Sequence, residues 1–332
     1  MPAIQPTVLV QVILNGIQES GFSASLIPST AKHPRRFAVT GPNGEAFTIS
    51  AYAWTLTFGG RPSLPNEYRI QMTTVRSPLP FSQGDLTVLL GYEPNLNLFA
   101  GFDLTRHRTF TAGSPSVQID IENLKQAEVE GLSFHQKSNN EIAVGIRPDQ
   151  FVSYALNAEA FHRYGKEKPM LSLLHKATAL DPIPETELDK LNAKRRRVVE
   201  TVSRLSRDAS FRRTVLFAYA STCAVTRMQL RLVEAAHILP VGAPGSHDHV
   251  TNGLALSPTY HRAFDAKLIY LDKKYQMQLN PTKVADLSIL KLDGGFEAFK
   301  APLGKIFLPP DKHQWPSPLM ISKANKFRSI PI

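Results

Sequence analysis

A single cysteine, Cys223, stands in the 332 residues. That excludes a disulfide framework within the chain and a four-cysteine zinc site. Cys223 is expected to be a small buried apolar side chain. No run approaches the ~20 apolar residues of a membrane span. The apolar amino-terminal stretch MPAIQPTVLVQVILNG lacks a basic leader region and carries Gln11 and Asn15. It reads as a strand or short helix rather than a signal peptide, and a cytoplasmic protein is expected. No internal repeat or low-complexity tract is visible. Acidic residues are also scarce relative to basic ones: 28 Asp and Glu against 38 Lys and Arg, a net charge of +10. Such an excess favours a polyanionic partner, most simply nucleic acid.

What is present fits a globular protein, with 42% hydrophobic and 20% charged residues. The length suits about two domains, each able to bury a core. Up to about residue 165 the pattern is β-like. Phe37–Val39, Phe47–Tyr52, Tyr68–Thr73, Leu86–Tyr92 and Leu98–Phe102 are short apolar or alternating runs. Clusters such as Gly41-Pro42-Asn43-Gly44 and Glu93-Pro94-Asn95 separate them. Helices are expected near Ile121–Gly131 and over Asp149–Tyr164.

Residues 166–190 read as a connector, because Pro182 and Pro184 interrupt regular structure, with a helical piece around Leu171–Leu180. Leu188–Ala220 is then helical and basic. Arg195, Arg196, Arg197, Arg212 and Arg213 are candidates for phosphate contacts, with Glu200 and Asp208 the only acids opposing the run. The expected organisation is an α+β chain: a β-rich mixed DNA-recognition domain over 1–165, a connector over 166–190, and a second domain over 191–332. The proline-rich tail of that last domain is expected to wrap over it.

The chemistry concentrates in residues 223–272. Glu234-Ala235-Ala236-His237-Ile238-Leu239-Pro240 comes first, then Thr251-Asn252-Gly253-Leu254-Ala255-Leu256, then His261-Arg262-Ala263-Phe264-Asp265. Leu230–His237 reads as a short strand, Gly253–Leu256 as a second, and Thr259–Leu268 as a helix opened by Pro258. His261 and Asp265 then share one helical face at i, i+4. A neutral imidazole is suited to taking a proton from water near neutral pH, and His237 is the candidate base. Asn252 can either orient that imidazole or brace the loop between the strands. Arg262 beside the same face can grip a phosphate oxygen.

The three blocks together resemble the HNH endonuclease family of ββα-metal nucleases, and its restriction-enzyme branch in particular. The resemblance covers about residues 200–290. It implies two strands and a helix around a divalent ion, Mg2+ or Mn2+, with His237, Asn252 and His261 as catalytic residues. His261 matches the family's third-block metal ligand, and Asp265 is the second candidate ligand. One position departs from the pattern. Many members carry Asp or His directly before the base, where this chain has Ala236. Glu234 is set aside as a substitute, because its odd spacing from His237 puts it on the opposite strand face.

The expected activity is metal-dependent hydrolysis of DNA phosphodiesters, in the setting of a restriction endonuclease with an amino-terminal specificity domain. Two rivals keep the same core: a mobile-element or repair nicking nuclease, and a degenerate DNA-binding protein. Expected partners are DNA, a DNA methyltransferase encoded nearby, and a second copy of the chain, since cutting both strands needs two sites or two visits.

Overall fold

The structure, a computed structural model, describes residues 4–330 apart from Asn43, Ala112 and Ser114. Asn43 of the expected Gly41–Gly44 turn therefore lies outside the described residues. The chain forms two compact units, Met1–Ala209 and Ser210–Ile332. It is a mixed α and β protein, with the larger sheet in the amino-terminal unit.

That unit opens with helix α1 (Pro6–Glu19), which starts on a proline and buries Ile13, Gly16 and Ile17. Ten strands follow: β1 (Ser23–Ile27), β2 (Arg35–Thr40), β3 (Ala46–Thr55), β4 (Thr57–Phe58), β5 (Glu67–Gln71), β6 (Leu86–Glu93), β7 (Leu98–Phe102), β8 (Ser116–Asp120), β9 (Leu132–Gln136) and β10 (Ile142–Ile146). Seven of them form one sheet in the order β1-β2-β3-β6-β7-β10-β9. Its pairs are antiparallel except β3 with β6. A smaller sheet has the order β4-β5-β8. Short helix α2 (Leu104–His107) and helix α3 (Ile121–Glu130) lie between strands; α4 (Phe151–Tyr164), α5 (Lys168–Ala179) and α6 (Glu185–Leu188) follow.

The centre of the large sheet is buried on both faces, which is why β7 and β10 read as continuous apolar runs rather than alternations, whereas the outer strands β1 and β2 stay partly exposed. Ile49, Ala51 and Ala53 of β3 join one core with α1, α4 and α5. Tyr52 and Trp54, pointing the other way, join a second core with Ile70, Val117 and Ile119 of the small sheet and Leu124 of α3. Gly101 in β7 permits one close approach, since a Cβ there would overlap the Tyr154 ring.

The expected connector is largely structured. Met170, Leu173, Leu174 and Ala177 of α5 are buried in the first core, as are Val198, Val199 and Val202 of the long helix α7 (Ala193–Ala218). The boundary between the units falls inside α7, at Ala209/Ser210. The prolines at 182 and 184 break the helix without ending the hydrophobic pattern, and burial decides where a domain ends.

The second unit contains the end of α7 and a two-stranded antiparallel ribbon, β11 (Glu234–His237) with β12 (Gly253–Leu256). Helix α8 (Pro258–Asp265) comes next. A small sheet follows, β13 (Ile269–Leu271), β14 (Gln276–Leu279) and β15 (Gly304–Lys305), with helices α9 (Pro281–Ile289), α10 (Phe296–Lys300) and α11 (Pro318–Phe327). Its core gathers Phe211, Val215, Tyr219, Ile238, Leu254, Leu256, Phe264 and Ile321. β11 is shorter than expected, because Leu230 and Arg231 take positive φ and leave the strand only Glu234–His237. Among the described residues no helix is long and apolar enough to cross a membrane.

Candidate active site

His237 is the last residue of β11 and pairs in register with Gly253, the first of β12. Behind it runs α7. The Phe211 ring stacks on the imidazole at 3.6 Å between centroids, tilted by 11°. Gly253 allows this packing, since a Cβ there would lie 2.3 Å from a Val215 methyl group. The Asn252-Gly253 pair, a turn signal when taken alone, here opens a strand against a helix. One side of His237 is thus fixed by an aromatic wall, and its side chain stays 15% exposed.

His237 Nε2 lies 2.9 Å from Asp248 Oδ1. A carboxylate only accepts, so Nε2–H donates and the neutral ring keeps its lone pair on Nδ1. Asp248 comes from the loop between β11 and β12, and sequence reasoning had not marked it. An acid in a loop rich in Gly, Pro, Ser and His carries no sequence signal of its contact.

Asn252 is fully buried, and its side chain bonds the loop rather than His237. Its Oδ1 accepts from Leu239 N–H at 2.9 Å. Its Nδ2 donates to the Leu239 carbonyl at 3.1 Å and the His247 carbonyl at 2.9 Å. The side chain braces both ends of the loop that delivers Asp248. His249 stands just before, its side chain accepting from Thr251 N–H to cap a short helical turn.

His261 and Asp265 do share a face of α8. His261 Nε2 is 3.4 Å from Asp265 Oδ2, and His261 Nδ1 is 2.7 Å from Glu234 Oε2. Glu234, set aside from strand spacing, is therefore brought to the face of α8 that bears His261 and Asp265. Glu234 and His237 lie on opposite faces of β11, and α8 packs on the ribbon so that His261 meets Glu234. The hydrogen bond from His261 holds the Glu234 carboxyl below its ordinary range, and the Arg212 charge pulls the same way against the effect of burial. Nδ1–H donates to Glu234, so the neutral ring turns its Nε2 lone pair toward the Asp265 carboxylate. That lone pair and the carboxylate oxygen, 3.4 Å apart, can together ligate a cation, whereas in the imidazolium Nε2–H would instead face Asp265. With bonds of ~2.1 Å, two ligands on one edge of a coordination shell stand about 3.0 Å apart in an octahedron and about 3.4 Å apart in a tetrahedron, so an octahedral ion would draw the pair slightly closer. The donors fit a divalent ion held by two protein ligands, with water or phosphate oxygens completing the shell. Among the described residues no group of three or more His, Cys, Asp or Glu is placed to hold a metal ion. Ala236 is fully buried and supplies no ligand.

The arginines divide. Arg195 pairs with Glu167 and lies over the Tyr164 ring at 5.0 Å. Arg196 binds Glu185, Asp189 and Glu200. Three of those four acids lie in the segment read as a connector, so the run is opposed by more than Glu200 and Asp208. Arg197, Arg213 and Arg262 are exposed and Arg212 is half-buried. Cys223 is buried as expected, yet its sulfur also accepts from the Ser257 and Thr226 amides at 3.2 and 3.4 Å.

Residues 223–272 match the family model described as HNH endonuclease. Residues 47–155 match the one described as Methylase-associated X1. A solved structure titled "Modification dependent TagI restriction endonuclease" aligns over 94% of this chain and 86% of its own, at 12% identity and a TM-score of 0.31. That overlay is too loose to establish a shared fold. No curated protein matches the chain. The matched segment contains the strand-end histidine, the bracing asparagine and the helix-borne histidine described above; residues 223–272 are thus an HNH endonuclease segment, and the chain is a nuclease that hydrolyses DNA.

Proposed function

We propose that this nuclease is a divalent-metal-dependent restriction endonuclease, cutting with its carboxy-terminal unit and selecting DNA with its amino-terminal one. The observation that carries the cutting mechanism is the pair of histidines held in opposite tautomers by Asp248 and Glu234. His237 Nδ1 takes the proton of the attacking water as its oxygen closes on phosphorus. Asp248 accepts from Nε2–H throughout and stabilises the imidazolium that forms. Phe211 and the Asn252-braced loop prevent the ring from turning away. His261 Nε2 and Asp265 would hold Mg2+ or Mn2+, with Glu234 orienting His261 from behind. When bound there, such an ion stabilises negative charge on the phosphate and the leaving oxygen.

Arg212, Arg213, Arg262 and Arg197 are the proposed phosphate contacts. Arg195 and Arg196 would have to exchange a carboxylate for a phosphate and are the weaker members of that set. Support for selection by the amino-terminal unit comes from the name of the family that residues 47–155 match, which ties it to DNA methylation. On this reading a methyltransferase acts in the same system, and a homodimer supplies the second active site.

Plasmid cleavage tests the whole. Methylated and unmethylated DNA are each incubated with Mg2+, Mn2+ or chelator. Metal-dependent cutting that differs between the two substrates is expected. Cutting undiminished by chelator would remove the metal, and equal cutting of both substrates would remove methylation-sensitive selection.

A further inference from the structure

The carboxy-terminal tail reaches the active site through a single side chain. Arg328 caps α11, some distance in sequence beyond the segment that matches the nuclease family. Its side chain is only 4% exposed. Nη1 donates to the carbonyl of Ile238, the residue after His237. Nη2 stands 3.8 Å from Asp265 Oδ1, and the guanidinium lies over the Phe264 ring at 4.4 Å from its centroid. One rigid planar group thus touches the end of the strand that bears His237 and the end of the helix that bears Asp265. Core residues Met320, Ile321 and Ala324 anchor the helix that carries it.

A buried guanidinium is costly to desolvate and is retained where its fork geometry joins several acceptors. Here Nη1 donates to a backbone carbonyl, and Nη2 stands in a looser ion pair, beyond hydrogen-bond reach, with a carboxylate on a second element. We propose that Arg328 is a positioning residue for DNA cleavage: it fixes Asp265 relative to the strand end carrying His237, and thereby sets metal affinity and turnover. This rests on the reading of Asp265 as a metal ligand. Positioning and simple electrostatics predict opposite signs. A positive charge near a metal ligand repels a cation, so removing it would tighten metal binding if charge were all that mattered. Loss of positioning would weaken binding instead.

The test is Mn2+ binding to the DNA-free full-length protein, followed by calorimetry, for Arg328→Met, Arg328→Lys, Asp265→Asn and the double variant Arg328→Met with Asp265→Asn. Cleavage kinetics and thermal unfolding accompany each. Arg328→Met should weaken Mn2+ binding by about 10–100-fold, the range for losing an outer-shell partner. It should lower kcat while leaving the KM for DNA near wild type. The double variant should bind Mn2+ no worse than Asp265→Asn alone. Arg328→Lys keeps the charge without the fork, so it should be impaired in the same direction. It also serves as the test should the methionine variant fail to fold. If Asp265→Asn weakens binding but folded Arg328→Met or Arg328→Lys binds Mn2+ as tightly as wild type or more so, the positioning role is wrong and the ligand assignment stands. If Asp265→Asn leaves Mn2+ binding unchanged, the ligand assignment falls and takes the Arg328 proposal with it.

Discussion

His237 and His261 carry the same imidazole, yet the carboxylates beside them select opposite tautomers. Asp248 accepts from Nε2–H of one and Glu234 from Nδ1–H of the other. Replacing His237 with Ala should lower the cleavage rate by ~10²–10⁴-fold while DNA binding persists in a gel-shift assay; an unimpaired rate would remove it as the base. Asp248→Asn should also slow single-turnover cleavage, because an amide can donate to Nε2 and leave the proton on Nδ1. Wild-type kinetics in that variant would show that the tautomer is set elsewhere. Glu234→Gln should raise the half-activating concentration of Mg2+ by about 10–100-fold through loss of an oriented ring. An unchanged metal titration would return Glu234 to the role of a surface ion pair.

The ribbon β11–β12 and its loop act as one element, tied by the buried Asn252. Asn252→Ala strands the Leu239 N–H and the His247 carbonyl, while the Leu239 carbonyl keeps its bond from Ser246 Oγ. It should destabilise the carboxy-terminal unit by ~1–3 kcal/mol for each group left unpaired. Chemical denaturation measures this. Lost cleavage with undiminished stability would mean that Asn252 acts in the chemistry and not as a brace. In the amino-terminal unit, His162 joins α4 to β10. Its Nδ1–H donates to the Ile142 carbonyl and its Nε2 meets the Tyr154 hydroxyl. Burial lowers the His162 pKa from 6.5 to about 4. Between those values the unfolded chain binds a proton that the folded chain refuses, so stability falls as pH drops from 6.5 toward 4. His162→Gln should flatten this acid limb in melting curves recorded across that window. An equally steep limb would assign the loss to other groups, His33 among them, whose pKa burial also lowers to about 4.

At the scale of the whole molecule, cutting and selection are proposed to reside in separate units, and the boundary tests this. A fragment beginning at Ser210 keeps the core that contains Phe211, Val215 and Phe264. One beginning at Glu187 would also expose Val198, Val199 and Val202, which belong to the other core. The shorter fragment should therefore be the more soluble of the two. It should nick DNA weakly and without preference for methylation state. A fragment from Ser210 that retained full selectivity would place recognition in the carboxy-terminal unit.

Much of the nuclease core was legible in the chain itself. The blocks around His237, Asn252 and His261, the i, i+4 pair with Asp265 and the proline opening α8 are local patterns, and helical periodicity and capping are local physics. Strands β2, β3, β5, β6 and β7 were legible from their short apolar or alternating runs, and α4 from its spacing, whereas β8, β9 and β10 were not marked. The partners were not. Asp248 meets His237 only because a buried amide folds the loop back. Glu234 meets His261 only because α8 lies on the ribbon, and Arg328 arrives from the far end of the chain. The division of the molecule inside α7, and the acids that occupy Arg195 and Arg196, likewise depend on packing between segments distant in sequence. Local order follows from neighbours along the chain, whereas which carboxylate faces which imidazole is decided by burial, and burial belongs to the tertiary structure.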